Sequence, residues 1–250
     1  MKARLAVALI CAAFASLSAQ QPPQASASPR ASAPVDLTGY WVSLVTEDWR
    51  YRMTTPPKGD YTGVPLNGAG RKAADAWDPA RDEAAGEPCK AYGVGGIMRM
   101  PGRLHITWQD DETLRVEADA GTQVRALVFR GPRSQGGDWQ GASAAIWDRS
   151  TSVMGAAGLF APAGARGGSL KVVTTGMRAG YLRKNGVPYS DTAIVTEYYD
   201  RHNEPNGDQW FTVTTMVEDP KFLTQPFITS SGFKKEADGA KWRATPCAAQ

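Results

Sequence analysis

The sequence predicts an all-β fold, an antiparallel barrel of about eight or nine strands with one short helix and long loops. Three observations predict it. Beyond Leu37 apolar and polar residues alternate with period two through most of the chain, the pattern of half-buried strands. Turn-forming clusters interrupt that alternation at short intervals. Many short strands in one body, residues 36–250, favour closure, because a closed sheet leaves no edge unpaired. A two-sheet sandwich is the alternative. No internal repeat of solenoid or propeller length is present.

At the amino terminus Lys2 and Arg4 precede an apolar run from Leu5 to Ala15 and then the small residues Ser16, Ser18 and Ala19. That is the layout of an export signal, so residues 1–19 read as a signal peptide. Cys11 follows Ile10, which is bulky where lipoprotein processing takes a small residue. Residues 20–35 are mostly Gln, Pro, Ala and Ser, too poor in apolar surface to order themselves, and read as a disordered leader. No stretch reaches membrane-spanning length. The expected location is the periplasm or the extracellular space, without stable membrane insertion.

Strand segments fall at 37–46, 104–108, 113–118, 122–129, 140–147, 169–176, 192–200, 209–218 and 226–234. Leu104, Ile106 and Trp108 alternate with Arg103, His105 and Thr107; Leu114, Val116 and Ala118 alternate with Arg115, Glu117 and Asp119. Asp110-Asp111-Glu112 joins these two into a hairpin, and Glu204-Pro205-Asn206-Gly207 joins the strands at 192 and 209. A helix runs from about Gly68 to Trp77, capped by Asn67 and stopped before Pro79. Residues 48–66 and 78–102, rich in Gly and Pro, read as long loops, as does 150–168, which is almost all Gly, Ala and Ser.

Charge narrows the function classes. The chain has 28 Lys and Arg against 25 Asp and Glu, and Lys2, Arg4 and Arg30 are the only charges before Asp36. Past that point the charges balance, so no basic stripe awaits nucleic acid. Nucleotide-binding, kinase and zinc-finger spacings are missing, and Gly141-Ala142-Ser143-Ala144-Ala145 lacks the second glycine of a serine-nucleophile turn. With only His105 and His202, and no cysteine to spare, neither a metal site nor a cofactor is expected. Once Cys11 leaves with the signal, Cys89 and Cys247 remain, and an oxidising compartment predicts that they pair.

Leu37-Thr38-Gly39-Tyr40-Trp41 opens the first strand with Gly-x-Trp after a leader. This resembles the start of a lipocalin or lipocalin-like protein, where the tryptophan plugs one end of the barrel. A broader similarity runs from Asp36 to Cys247. It is carried by Pro65-Leu66-Asn67 through Trp77-Asp78-Pro79, Glu87-Pro88-Cys89, Trp139-Gln140-Gly141, Pro188-Tyr189-Ser190-Asp191 with Thr196-Glu197, and Glu218-Asp219-Pro220-Lys221 with Pro226. These segments are similar to a group of exported bacterial lipocalin-like proteins with no agreed activity. The resemblance implies the fold and the compartment. Relatives carry His where this chain has Tyr189, so a catalytic step resting on that His would be missing here.

Among chemistry-bearing residues, His105 sits mid-strand on the polar face with Arg103 and Thr107, a face that in a barrel can be the lumen. Glu197 shares its face with Ala193, Val195 and Tyr199, so it needs a partner, for which Arg103, Arg125 and Arg149 are candidates. A structural ion pair is the alternative role. Facing each other, His105 and Glu197 would supply an acid and a base. Glu47-Asp48-Trp49-Arg50-Tyr51-Arg52-Met53 interleaves aromatic and basic residues, suited to stacking on a ring or holding a carboxylated ligand, or equally to a plain extension of the first strand with solvated arginines. The leading expectation is an exported barrel that binds a small, partly apolar molecule in its cavity, through Trp41, Trp49, Arg50, Arg103, Trp108 and Tyr199. Trp41 and Trp108, with Trp139, Trp147 and Trp210, suit a core better than a ligand cage, because large aromatic side chains dominate barrel interiors. The alternatives are a cofactor-free isomerase, lyase or hydrolase using His105 and Glu197, and an envelope protein that binds a partner through an exposed apolar patch.

Overall fold

The computed structural model describes residues 27–131, 133–148 and 168–249. Its strands are β1 (Gly39–Leu44), β2 (Arg103–Trp108), β3 (Thr113–Ala118), β4 (Gln123–Val128), β5 (Ala142–Asp148), β6 (Ser169–Thr175), β7 (Gly180–Arg183), β8 (Val187–Tyr189), β9 (Ile194–Asn203), β10 (Gln209–Glu218) and β11 (Phe227–Glu236). β7 and β8 pair with each other, and the other nine close into a barrel in the order β1-β11-β10-β9-β6-β5-β4-β3-β2. The fold is the expected all-β, lipocalin-like barrel. The expected signal peptide with Cys11, Arg149 and nearly all of the 150–168 loop lie outside the described residues.

One pairing departs from a wholly antiparallel barrel, and arithmetic demands it. Strand directions cannot alternate all the way round an odd ring, so nine strands need a parallel pair somewhere. It falls between β4 and β5, at Leu127↔Ser143 and Val128↔Ala144. A tight hairpin cannot make such a connection. By Gln140 the chain is back beside the start of β4, where Gln140 Nε2 donates to Gln123 Oε1 at 2.9 Å, and β5 begins from there.

Alternation decides what each side of the wall presents. Trp41, Leu104, Ile106, Leu114, Val116, Leu127, Leu170, Val172, Tyr199, Phe211, Val213 and Phe233 belong to one buried cluster contributed by nearly every strand. Phe211 packs edge-on to Trp41 at 4.7 Å and stacks on Phe233 at 4.9 Å. Trp41 Nε1 donates to the Leu37 carbonyl at 2.9 Å, so its polar atom is satisfied inside the wall. A barrel of this size is just wide enough for side chains to fill. Burial of each large apolar side chain stabilises the fold by about 1.5–3 kcal/mol.

The end where β1 finishes and β11 begins is covered by the segments that the sequence presents as loops. They form α1 (Trp49–Arg52), α2 (Gly68–Asp75), α3 (Pro79–Ala84), 3-10 turns at Pro88–Tyr92 and Ile97–Arg99, and the β7–β8 hairpin. α2 is the expected helix: Asn67 Oδ1 accepts from the Gly70 amide at 2.9 Å. Its neighbours correct the single-helix expectation, because Pro79 opens α3 behind an Asp78 cap as well as ending what precedes it. Together these pieces bury a second core, with Tyr61, Val64, Leu66, Leu182, Val187, Leu223 and Phe227 among its members. Tyr189 stands at its centre, fully buried, in a slot left by Gly93, Gly95 and Gly180 that a Cβ on any of them would enter. Its hydroxyl has no hydrogen-bond partner, and burial raises it above the ordinary tyrosine range.

Two tails pack on the barrel. The leader was expected without order, yet its described part, 27–35, folds over the other end. The Pro29 carbonyl accepts from Trp147 Nε1 at 2.8 Å, and Val35 packs on the barrel core. The C-terminal segment crosses the outer face of β1, β2 and β3 as a strap. Gly239 lies against the Tyr40 ring, Trp242 meets Tyr40 edge-on at 6.1 Å, and Thr245 N donates to the Asp119 carbonyl at 2.9 Å. Cys247 then joins Cys89 in the expected disulfide. Among the described residues no helix is long and apolar enough to cross a membrane.

Candidate functional site

The register of β2 and β9 separates the two groups proposed for acid–base work. Leu104 and Ile106 point into the barrel, so His105 between them points out. It stacks on Tyr40 at 4.1 Å, takes the edge of Trp242 beneath the strap, and places Nδ1 3.0 Å from Glu117 Oε2. Glu117 is held below the ordinary carboxylate range, mainly by the hydrogen bond from Arg115 and, against the effect of burial, with help from His105. Glu197 is on the inner face. Of its three candidate partners it meets Arg125, which donates Nη2 at 2.5 Å and Nη1 at 3.0 Å. Burial alone would lower the Arg125 guanidinium; Glu197 and Tyr199 hold it above its ordinary value. His105 and Glu197 thus stand on opposite sides of the wall, with no common point for a reacting group.

The ligand residues expected in a lumen are likewise dispersed. Trp41 and Tyr199 are core side chains without solvent exposure. Trp108 joins Phe129 and Trp147 in an aromatic cluster at the leader-covered end, with ring centroids 5.1–6.4 Å apart. Arg103 lies on the outer wall, its Nε donating to Glu236 at 2.7 Å. Among the described residues the inward-facing side chains of the barrel have essentially no accessible surface, so they form a packed core and line no cavity that admits water. The sequence pattern gave the alternation correctly but not how full the centre would be.

Trp49 and Arg50 do meet at a concave surface. α1 follows Asp48, whose backbone is left-handed at φ 50. Buried Arg52 ties the helix to the barrel: Nε donates to the Arg99 carbonyl at 3.0 Å, Nη2 to Ser43 Oγ at 2.9 Å, and Nη1 pairs with Glu47. Trp49 at the start of α1 and Met53 just past its end are exposed, at 61% and 57%. A groove of about 190 Å³ runs past Trp49, Arg50, Tyr51, Thr54, Pro56 and Pro57. Tyr51 forms its inner wall, its ring covered by the Arg183 guanidinium at 4.1 Å. Arg183 escaped the sequence reading, although Asn185-Gly186 just after it is a hairpin signal that would have revealed β7 and β8.

A second concavity, about 340 Å³, lies between β11 and the strap, lined by Val42, Lys234, Lys235, Glu236, Asp238 and Lys241 among others. Lys234 pairs with Asp208 at 2.7 Å and Lys241 with Glu236 at 3.7 Å, and no aromatic side chain lines it. The α1 groove is the better match to a partly apolar molecule. Among the described residues no cluster of three or more His, Cys, Asp and Glu is placed to hold a metal ion. Compared with family models, with curated proteins and with solved structures, the chain matches none.

Proposed function

We propose that the protein is an exported lipocalin-like barrel protein that binds a small, partly apolar molecule in the α1 groove at the covered end of the barrel. The observation that carries this reading is the exposure of Trp49 on the groove, at the start of a helix that Arg52 anchors to the barrel. A tryptophan in the open, beside prolines and a stacked tyrosine, offers a flat surface to a ring or an alkyl chain. The Cys89–Cys247 bond and the export-type amino terminus support an oxidising compartment. Catalysis by His105 with Glu197 is not part of the proposal, since the wall of the barrel lies between them.

The test is a titration with the neutral fluorophore N-phenyl-1-naphthylamine, read by its own emission and by quenching of tryptophan. Saturable binding is expected, weakened about tenfold in Trp49→Ala, the equivalent of roughly 1.4 kcal/mol of lost contact. An unsaturated linear response in the wild-type protein, or equal affinity in Trp49→Ala, would overturn the reading.

A further inference from the structure

Next to the groove, where α1, the turn before β2 and the end of β7 meet, three arginines are buried: Arg52 at 1%, Arg99 at 6% and Arg183 at 4% exposure. Their hydrogen bonds are unevenly satisfied. Arg52 uses Nε, Nη1 and Nη2 on protein acceptors. Arg99 gives Nη1 to Asp48 at 3.1 Å, but its Nη2 is buried without a partner. Arg183 gives Nη1 to the Thr62 carbonyl at 2.8 Å, while its Nε is buried without a partner. Both unsatisfied guanidiniums rest on the Phe227 ring, each 5.9 Å from its centroid, which fixes them over one apolar floor.

The charges do not balance either. Glu47 is paired with Arg52 and Asp48 with Arg99, and among the described residues no carboxylate lies within ion-pair distance of Arg183, which Asp48 and Asp60 stabilise only from farther away. A lysine can escape such a position by losing its proton, and burial does lower neighbouring Lys184. An arginine cannot. Arg183 is pulled below its ordinary value by burial and then by repulsion from Arg99, but it stays a cation. A buried cation with no carboxylate in contact and an unused donor is costly, and an anion arriving from outside relieves it.

A cleft open to solvent leads to this place, lined by Tyr51, Arg52, Arg99, Met100, Leu182 and Arg183 among others, with inner space of about 10 Å³. That is room for about one water or one carboxylate oxygen. Two unused guanidinium donors beside room for one oxygen call for a small anion, and a carboxylate oxygen forms strong charge-assisted hydrogen bonds with such donors.

We propose that this cleft is a carboxylate subsite, in which an acid oxygen of the ligand is held by the guanidiniums of Arg99 and Arg183. The rest of the ligand lies over Tyr51 and along the Trp49 groove. The inference rests on the reading of that groove as a binding site and narrows its ligand to a small amphipathic monocarboxylic acid.

Its test uses the full chain, with the Arg99 and Arg183 Nε–H resonances followed by NMR during titration with acetate, and with octanoate and octanol affinities read by tryptophan emission. Saturable acetate shifts at both arginines are expected, together with octanoate binding at least tenfold tighter than octanol. That advantage should vanish in Arg183→Gln and in Arg99→Gln, and persist in Arg71→Gln, which alters an exposed helix position. Circular dichroism checks that each variant is folded, and the two cleft variants stand in for each other should one not be. If octanoate and octanol bind alike and acetate moves neither resonance, the subsite is overturned while the groove survives. If acetate shifts both resonances but neither eight-carbon probe binds more tightly than acetate, the groove fails and the anion subsite stands. Displacement of octanoate by inorganic phosphate at lower concentration than by acetate would overturn the assignment to a carboxylate.

Discussion

Arg125 and Glu197 hold two opposite charges inside the barrel, with side-chain exposures of 2% and 0%. Two nitrogen–oxygen contacts join them, Thr174 Oγ1 lies 3.4 Å from Arg125 Nη2, and Ser143 hydrogen-bonds Thr174 at 2.8 Å. Such a pair adds little over an apolar one, because both ions lost their hydration; the damage comes from removing one partner and leaving the other alone. Arg125→Met or Glu197→Gln should therefore each cost about 3–5 kcal/mol in urea unfolding. Arg125→Met combined with Glu197→Leu should recover most of that loss. Single substitutions costing less than about 1 kcal/mol would mean that water reaches the pair, against the packed interior described here. The sequence placed Glu197 on a buried face and named Arg125 among its partners, because both facts follow from alternation along a strand. It did not place His105. Alternation states which residues share a face, and only the filling of the centre by Trp41, Phe211 and Phe233 shows which face is inside.

The strap from Ala237 to Cys247 is an element without regular structure, held by Trp242 at one point and by Cys89 at another. Its disulfide spans a sequence separation of 158 residues, and closing so long a loop restricts the unfolded chain by about 5 kcal/mol in the chain-entropy model. Cys89→Ser with Cys247→Ser should lower stability by about 3–5 kcal/mol in denaturant. It should also free the end of the strap, seen as faster hydrogen exchange at the Thr245 amide, which now donates to Asp119. Unchanged exchange at Thr245 in the double variant would show that the contacts of Trp242 and Thr245 hold the strap without the disulfide. All nine barrel strands were legible, since each is long enough to show its period. β8 was not, being Val187–Pro188–Tyr189 and buried on every residue. The parallel β4–β5 seam is set by closure of an odd ring, and no local pattern encodes that. α3 and the groove helix α1 are too short for a helical period to emerge, and their Gly- and Pro-rich surroundings read as loop. The candidate site was thus half visible: Trp49 and Arg50 through their aromatic–basic interleaving, Arg99 and Arg183 only once the cap had folded.

At the scale of the molecule, two cores must come apart together. Phe227 and Val217 lie on barrel strands yet belong to the cap core, so the cap cannot lift without opening one end of the barrel. Three tyrosines report on both bodies. Tyr199 is in the barrel centre, Tyr189 in the cap core, and Tyr181 on β7 donates to Asp82 Oδ2 at 2.6 Å. All three are held above the ordinary tyrosine value, in each case first by burial, with Asp82 adding to it for Tyr181 and Glu197 for Tyr199. The sign follows from proton counting. These groups stay protonated in the folded chain at a pH where the unfolded chain, titrating near pH 10, has released them. Their contribution is therefore fully present below about pH 10 and is lost as pH rises towards the folded values, by up to about 1.4 kcal/mol per pH unit for each group. Alkaline titration should show tyrosinate absorbance from the exposed tyrosines first, and then a second rise coincident with loss of the near-ultraviolet circular dichroism of both cores. Tyr199→Phe should make the fall in stability above pH 10 shallower by about one proton. Ionisation of all the tyrosines before any loss of dichroism would mean that water enters the centre of the folded barrel, and would reopen the lumen as a place for a ligand.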